Sequence, residues 1–209
     1  MKSYDIITEA DARVLEPGST VVLNRGGHVT PLAADTLRAR RITLLSDVPA
    51  GEDASLAPAM PVVRVAIGSD HTGVKLKAVL RDGLRSTGLQ VVDTGTDGTD
   101  AVDYPDIAAA VARLVARREV DAGIVIDGAG LGSAIAANKI DGIRAVMCLD
   151  RTIARYAREH NGANVLTLGA SLLTPEAARA IVETFLGTGM AEARYLRRLT
   201  KIRRLEQTR

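Results

Sequence analysis

One stretch of the sequence sets the architecture of this protein: residues 123–139 read GIVIDGAGLGSAIAANK. An apolar run ends at Asp127, a glycine-rich turn follows, and the turn leads directly into a stretch of good helix formers. A turn of this kind presents backbone N–H groups at the start of a helix, where negative charge is stabilised. With the Asp127 carboxylate at its edge, the turn combines a general base with a cradle for an oxyanion, as the formation of an enediolate requires.

Strand-like and helix-like segments alternate on both sides of this stretch, from Val62 onward. Short apolar runs predict strands at Val63–Ile67, Gln90–Asp93, Ala122–Ile126, Gly142–Met147 and Asn164–Leu168. Amphipathic stretches between them predict helices at Val74–Ser86, Ile107–Arg118, Ser133–Lys139 and Thr152–Glu159. A helix at Pro175–Leu186 precedes a basic C-terminal helix. This alternation predicts an α/β fold with a doubly wound, Rossmann-like sheet of five parallel strands. Ligands of such sheets bind at the carboxyl ends of the strands.

A small N-terminal α/β appendage precedes this main domain at 62–209. Residues 1–48 predict two short strands, Thr20–Leu23 and Ile42–Leu45, and between them a helix with Thr30 as N-cap and Pro31 in its first turn. Residues 49–61 contain three prolines and no apolar periodicity, which predicts a linker. The appendage is too short for a substantial core of its own, so we expect it to dock on another surface.

Composition limits the function classes and the compartment. The chain has 27 basic and 25 acidic residues and a formal net charge of +2, so no global field attracts nucleic acid. No apolar run reaches about 18 residues and no signal-peptide core is present, so we expect no membrane span and no export. The single cysteine, Cys148, fits a reducing cytoplasm, and its apolar surroundings predict a buried side chain and not a nucleophile.

Four polar motifs follow one another along the chain. They are Gly68-Ser69-Asp70-His71-Thr72-Gly73, Asp103-Tyr104-Pro105-Asp106, the turn Asp127–Gly132, and Arg158-Glu159-His160-Asn161-Gly162. In this order and spacing the motifs resemble the type B ribose-5-phosphate isomerase family, which includes the galactose-6-phosphate isomerase subunits. The resemblance covers roughly residues 62–202.

The resemblance implies an aldose–ketose isomerase that acts on a phosphorylated sugar, by default ribose 5-phosphate, without a metal or redox cofactor. It implies a homodimer or tetramer with sites at the subunit interface, where C-terminal arginines of the partner subunit bind phosphate. The catalytic groups would be Asp127 as carbon base, His160 in ring opening, and N–H donors of Gly128, Gly130 and Gly132. The substrate-binding residues would be Asp70, His71, Tyr104, Asn161, Arg194 and Arg198.

Several positions depart from the family pattern. Many members carry cysteine where this chain has Asp127, and others carry a glutamate base at the position of Ser133. The turn hydroxyl of the pattern is replaced by Ala129, a phosphate-binding arginine by Ser171, and a C-terminal histidine by Tyr195. We interpret these departures as a changed substrate, a changed mechanism or lost activity.

Simpler explanations stay open for each candidate residue. Asp127 and Asp70 are also typical of caps on turns and helices. The simpler interpretation of His71, His160 and Tyr104 is a surface or packing residue. For Arg194 and Arg198 it is a solvated basic face of the helix.

Two other functions are therefore alternatives. A catalytically degenerate paralogue would bind sugar phosphate or serve as the inactive subunit of a heteromeric isomerase, and Ala129 and Ser171 favour it. A scaffold role is suggested by Thr30–Asp35 (TPLAAD), which resembles N-terminal pieces of enzymes associated with bacterial microcompartments. The simpler interpretation of this segment is an extension that stabilises an oligomer. We expect a scaffold to lose its partner, and an isomerase to keep its turnover, when residues 1–60 are removed.

Overall fold

Strands and helices alternate along almost the whole chain. The computed structural model describes residues 2–46, 53–190, 192 and 194–207. Contacts group them into a smaller unit, within residues 1–61, 159–162 and 189–209, and a larger unit, residues 62–158 and 163–188. In chain order the elements are β1 (Ser3–Ile7), α1 (Glu9–Val14), β2 (Thr20–Val29), α2 (Pro31–Ala39), β3 (Thr43–Leu45), a 3-10 turn (Ala54–Leu56), β4 (Arg64–Ser69), α3 (Val74–Ser86), β5 (Gln90–Asp93), α4 (Tyr104–Ala116), β6 (Ala122–Asp127), α5 (Leu131–Ala137), β7 (Ala145–Met147), α6 (Arg151–Glu159), β8 (Val165–Gly169), α7 (Pro175–Gly187) and α8 (Arg194–Glu206).

The larger unit is built around a five-stranded parallel sheet in the order β5-β4-β6-β8-β7. This confirms the predicted α/β fold and its five parallel strands. β6 lies at the centre, and every residue of β6 and β8 is buried, which explains their nearly unbroken apolar sequences. Because all five strands run in the same direction, the last residues of β4, β6 and β8 (Ser69, Asp127 and Gly169) lie at one edge of the sheet.

Two element boundaries differ from the prediction for identifiable reasons. α4 begins at Tyr104 and not at Ile107, because Pro105 lies in its first turn, where a missing N–H costs no hydrogen bond. β7 begins at Ala145, later than predicted, and the Asn138 side chain pairs with both backbone polar groups of that residue. The Asn138 side chain thus satisfies the backbone groups of Ala145 on the free edge of β7, the outermost strand of the sheet.

The smaller unit contains a second parallel sheet, in the order β1-β2-β3. Sequence patterns do not predict β1, which is largely exposed and begins with polar residues, or α1, which has only six residues and therefore fewer than two turns. A capping box between Thr8 and Asp11 marks the start of α1 instead. Thr30 caps α2 and Pro31 follows it, as predicted.

Both faces of this small sheet are covered, because successive side chains of a strand point to opposite faces. On one face lies a cluster with α1 and α2, which we call the α1–α2 cluster: Ile7, Ala12, Leu15, Val21, Leu23, Ala33, Leu37 and Ile42. On the other lies the α8 cluster: Val22, Leu45, Leu56, Ala57, Met190, Tyr195, Leu196 and Leu199. α8 therefore supplies a layer that residues 1–61 alone do not have.

The predicted linker at 49–61 lies partly outside the described residues, which resume at Asp53. Its described part holds the 3-10 turn, where the Asp53 side chain accepts a hydrogen bond from Ser55 N at 2.8 Å. Leu56 and Ala57 of the same segment are buried. The domain boundaries at 48 and 62 stay predictions, and the contacts group residues 189–209 with 1–61.

Cys148 is buried just after β7, as predicted. Burial raises the pKa of its thiol to about 12, so the nucleophilic thiolate is not populated near neutral pH. In the part of the chain that the structure describes, no helix is long and apolar enough to cross a membrane.

A buried lysine fixes the loop that leads from β5 to Tyr104. Lys77 Nζ lies 2.7 Å from Asp93 Oδ1 and 2.9 Å from Asp97 Oδ1, and its side chain is fully buried. Arg81 Nη1 lies 3.2 Å from Asp93 Oδ2. These pairs attach the loop to α3.

We expect Lys77→Met to lower the free energy of unfolding by about 3 kcal/mol, because it removes the buried cation from the Asp93 carboxylate. Urea unfolding measures the change. Arg38→Ala is the control, since it removes only an exposed pair with Asp35, and it should cost less than about 0.5 kcal/mol. Equal effects of the two substitutions would show that the buried pair does not stabilise the fold.

Candidate active site

The glycine-rich turn is organised by the carboxylate of Asp127, the last residue of β6. Gly130, at φ +79°, adopts the left-handed conformation from which α5 begins at Leu131. Asp127 Oδ1 accepts hydrogen bonds from the N–H groups of Ala129, at 2.9 Å, and of Gly130. Oδ2 accepts from Ser133 N at 2.9 Å and from Ser133 Oγ at 2.5 Å. One carboxylate thus holds the turn and the first turn of α5 together.

The Asp127 carboxylate is only 4% exposed, and both of its oxygens are engaged. A carboxylate offers about four acceptor positions, and four donors fill them here. These contacts are those of a turn cap, the simpler of the two interpretations. The assignment of Asp127 as the carbon base stays a prediction, and it requires that one hydrogen bond be released. The Ser133 hydroxyl is the partner that releases most easily, because it rotates whereas the three N–H donors are fixed in the backbone.

Three N–H groups of the turn do not take part in the hydrogen bonds to Asp127. Among the residues that the structure describes, no protein acceptor pairs with the N–H groups of Gly128, Leu131 and Gly132. The predicted donor Gly130 is already bound to Asp127. The donors available to an oxyanion are therefore Gly128, Gly132 and, in place of Gly130, Leu131.

The turn packs closely against the end of β8. Thr167 Oγ1 donates to Gly130 O at 2.7 Å, and Ser171 N donates to Gly128 O at 3.0 Å. A Cβ placed on Gly169 would lie 2.8 Å from the backbone of Ala129. A side chain at position 169 would therefore push the turn away from the sheet.

The Asp70-His71 motif forms a second polar turn, after β4. The Asp70 side chain is buried, and its Oδ1 accepts hydrogen bonds from Thr72 N at 2.9 Å and Thr72 Oγ1 at 2.5 Å. His71 Nδ1 accepts from Val102 N at 3.3 Å, so Nε2 is the ring atom that remains for a ligand. This turn adjoins the first one, since a Cβ on Gly128 would lie 3.8 Å from Thr72 Oγ1.

Tyr104 lies directly on the start of α5. A Cβ placed on Gly132 would be 2.5 Å from Tyr104 Cζ and 2.8 Å from its hydroxyl oxygen, so this ring position requires glycine at 132. The larger unit thus brings together Asp127 and its turn, the Asp70-His71 turn and Tyr104.

The smaller unit brings three predicted residues together around the ring of Tyr195. The His160 ring lies 4.9 Å from the Tyr195 ring, measured between centroids. The guanidinium carbons of Arg194 and Arg198 lie 5.2 and 5.4 Å from the same centroid, within the range of cation–π contacts. Asn161 follows His160 at an exposed position.

Tyr195 is a site residue whose role the sequence analysis misses, since it enters there only as a departure from the family pattern. Arg194 Nη2 donates to the Tyr195 hydroxyl at 3.3 Å, and Arg194 Nε lies 2.7 Å from Glu192 Oε2. The Tyr195 hydroxyl and Glu192 raise the pKa of Arg194, which keeps this cation charged. The sequence signal for this role is the position of Tyr195, directly after Arg194 and three residues before Arg198.

Arg158 is part of the fourth sequence motif, but the motif does not predict its structural role. It is fully buried, and it donates to Thr188 O at 3.0 Å and to Ala163 O at 2.9 Å. Burial lowers the pKa of its guanidinium to about 9, so it stays charged at pH 7. Because Arg158 and Ala163 flank residues 159–162, their hydrogen bond closes the base of the loop that carries His160.

Metal ligation finds no support in these groups. Within residues 2–46, 53–190, 192 and 194–207, no cluster of three or more His, Cys, Asp and Glu side chains is placed to hold a metal ion. The expected independence from metal stays a prediction.

Comparison with known proteins was made against families, individual sequences and solved structures. The model of the family described as Ribose/Galactose Isomerase matches residues 65–202, a range that contains every predicted site residue. The chain belongs to the ribose/galactose isomerase family. This confirms the resemblance and makes the protein an isomerase, in a family of sugar-phosphate isomerases.

Individual relatives agree with the family assignment. Ribose-5-phosphate isomerase B of Escherichia coli (strain K12) is 42% identical over 146 residues, which cover 70% of this chain and 98% of that protein. The Clostridium thermocellum ribose-5-phosphate isomerase B structure has a TM-score of 0.69 and 44% identity, covering 70% of this chain and 99% of that chain. The structure of Mycoplasma genitalium ribose-5-phosphate isomerase B with bound ribulose-5-phosphate has a TM-score of 0.67 and 39% identity, and the match covers 69% of this chain and 97% of that chain.

We expect Gly130→Ala to destabilise the protein by about 1–3 kcal/mol, because a side chain is strained in the left-handed region. The added Cβ would also lie 3.0 Å from Gly169 N. Gly83→Ala is the matched control: it lies within α3 with open space around the added carbon, and it should stabilise by about 0.5–1 kcal/mol. Thermal unfolding followed by circular dichroism measures both, and a neutral Gly130→Ala would contradict the described turn.

Proposed function

We propose that the protein interconverts ribose 5-phosphate and ribulose 5-phosphate through a cis-enediolate. The proposal rests on the turn at 127–133, which combines a carboxylate with three N–H groups that have no protein acceptor among the described residues. Aldose–ketose isomerisation needs a base for the proton next to the carbonyl and donors for the negative oxygen. Relatives named ribose-5-phosphate isomerase B, one with ribulose-5-phosphate bound, support the choice of substrate.

Asp127 is the proposed base. The Ser133 hydroxyl rotates away from Oδ2, and Oδ2 takes the proton from carbon 2 of the open-chain aldose. The C–H electron pair forms the enediolate double bond while the carbonyl oxygen on carbon 1 becomes negative. The hydroxyl proton on the oxygen of carbon 2 passes to the negative oxygen of carbon 1. Asp127 then returns its proton to carbon 1 while the carbon 2 oxygen forms the carbonyl, which gives the ketose. Throughout, Oδ1 keeps its hydrogen bonds to Ala129 and Gly130, so the turn stays in place.

Donation to the enediolate oxygen is assigned to the N–H groups of Gly128, Leu131 and Gly132. Their position in a backbone turn supports this role, since fixed donors need no reorganisation when the charge develops. Tyr104, Asp70 and His71 are the proposed contacts of the sugar, as the family resemblance implies.

Ring opening and phosphate binding are assigned to residues of the smaller unit. His160 is the proposed acid or base of ring opening, and Asn161 the proposed second holder of the enediolate. Arg194 and Arg198 are proposed to bind phosphate, because two guanidinium groups beside one ring offer paired, fork-shaped donors. Arg194 exchanges its partner Glu192 for the phosphate.

Assembly and location follow from the resemblance alone. We propose a cytoplasmic homodimer or tetramer in which the arginines of one subunit serve the site of the other. Light scattering measures the oligomer. Association of Thr30–Asp35 with a microcompartment stays a prediction, and in the structure this segment forms the first turn of α2.

The test is solvent-deuterium exchange into tetrose, pentose and hexose phosphates, read by NMR. We expect deuterium at the carbon next to the carbonyl of ribose 5-phosphate, together with formation of ribulose 5-phosphate. Exchange into a different sugar would correct the substrate and keep the chemistry. No exchange into any sugar, with folded protein, would favour the catalytically degenerate paralogue.

Asp127→Asn should lower this exchange by about 10²–10⁴-fold, because the amide cannot take the proton. Ser133→Ala is the control within the same hydrogen-bond group: it frees Oδ2 and leaves the three N–H donors, so it should retain exchange within about threefold. Retained exchange in Asp127→Asn would show that the carboxylate only caps the turn.

A further inference from the structure

The C-terminal helix α8 has two faces with different surroundings. Most of its basic residues, including Arg194 and Arg198, are exposed, and Arg203 is half-buried. Its other face is buried, and Tyr195, Leu196 and Leu199 belong to the α8 cluster. The partners of this buried face come largely from residues 20–57: Val22, Leu45, Leu56 and Ala57. The N-terminal segment is therefore the surface against which the helix with the two proposed phosphate-binding arginines is packed.

Two further contacts join the same parts of the smaller unit. Arg203 Nη1, near the end of α8, lies 2.6 Å from Asp53 Oδ2. A Cβ placed on Gly162 would lie 2.7 Å from Leu199 Cδ1 and 3.4 Å from Leu56 O, so the loop at 159–162 lies against both α8 and the N-terminal segment. That loop carries His160 and Asn161.

Tyr195 connects this packing to the proposed site residues. The Tyr195 side chain is buried in the α8 cluster, yet its ring also contacts His160, Arg194 and Arg198. A shift of the cluster would therefore move the histidine and both arginines together.

The relatives indicate that this arrangement is an addition to the isomerase. The family match begins at residue 65, and the 146 aligned residues take up 98% of the Escherichia coli protein. Almost nothing of that protein is left to correspond to residues 1–61. In this chain, α8 is thus packed against a segment for which that relative has no counterpart.

We propose that the N-terminal segment, residues 2–46 and 53–61, is a positioning element of the substrate site. Through the α8 cluster it holds Tyr195, and with it His160, Arg194 and Arg198, in the geometry that binds the phosphorylated sugar. The inference rests on the proposed function for the identity of the ligand. It differs from the expectation that an isomerase keeps its turnover without residues 1–60, because removal of the segment would uncover the buried face of α8.

The test compares two leucine-to-alanine variants of the full chain. Leu56 belongs to the α8 cluster, and Leu56→Ala opens a cavity there. Leu37 belongs to the α1–α2 cluster of the same unit, whose residues all lie between positions 7 and 42, and Leu37→Ala opens a cavity in that cluster. Both remove the same atoms from buried positions, so both lose stability. We expect Leu56→Ala to raise KM for ribose 5-phosphate and the inhibition constant of inorganic phosphate roughly tenfold, and to lower kcat by more than about threefold because His160 moves with the arginines. Leu37→Ala should leave KM, the inhibition constant of phosphate and kcat within about twofold of the wild type. Leu56→Met keeps a large apolar side chain at this position and should show the wild-type values.

A second readout does not need activity. Amide hydrogen exchange by mass spectrometry should show faster exchange over α8 and residues 159–162 in Leu56→Ala but not in Leu37→Ala. Equal KM, phosphate inhibition and exchange in the two variants would overturn the inference. If the wild type converts no sugar phosphate while the exchange difference is present, the proposed function fails and the positioning role stands.

Discussion

The carboxylate of Asp127 accepts four hydrogen bonds from three residues that follow it, and this interaction organises the glycine-rich turn of the larger unit. The carboxylate lies at the end of the buried central strand and is itself buried, so its acceptor positions are filled by donors of the protein. By binding the N–H groups of Ala129, Gly130 and Ser133, it fixes which donors of the turn remain. Gly169 and Gly132 supply the room that this geometry needs, the first against β8 and the second under Tyr104.

The same carboxylate carries two demands that oppose each other. As a cap it must be ionised and fully bonded, and as a base it must release one partner. The pairing with a serine hydroxyl resolves the conflict, because a hydroxyl is the one donor of the set that turns without moving the backbone. A cysteine in this position cannot accept four such bonds, so Asp127 changes how the turn is held, whether or not it acts as the proposed base.

The smaller unit follows a different constraint. A three-stranded parallel sheet has two apolar faces, and the helices of residues 1–61 cover only one of them. α8 covers the other, which makes the folding of the N-terminal segment and the placement of α8 depend on each other. A segment with almost no counterpart in the Escherichia coli relative thus shares a core with the C-terminal helix of this chain.

Sequence patterns predict the buried strands of the sheet but not the contacts that the candidate site residues make. The apolar runs around Ile124 and Leu166 identify buried parallel strands because such strands are apolar on both faces. β1 lacks this signal because it is largely exposed, and α1 because its six residues make fewer than two turns. The engagement of Asp127, the loss of Gly130 as a donor and the place of Tyr195 depend on turn geometry and on packing between segments far apart in sequence. One-dimensional periodicity carries neither kind of information.

The account of the turn is open to a measurement on single amides. A phosphorylated hydroxamate has a planar, anionic head that resembles the enediolate, and its binding to uniformly ¹⁵N-labelled protein can be followed by NMR. The account predicts downfield proton shifts at the amides of Gly128, Leu131 and Gly132, with those of Ala129, Gly130 and Ser133 nearly unchanged. Shifts confined to Ala129, Gly130 and Ser133, or binding that leaves all six amides unmoved, would contradict it.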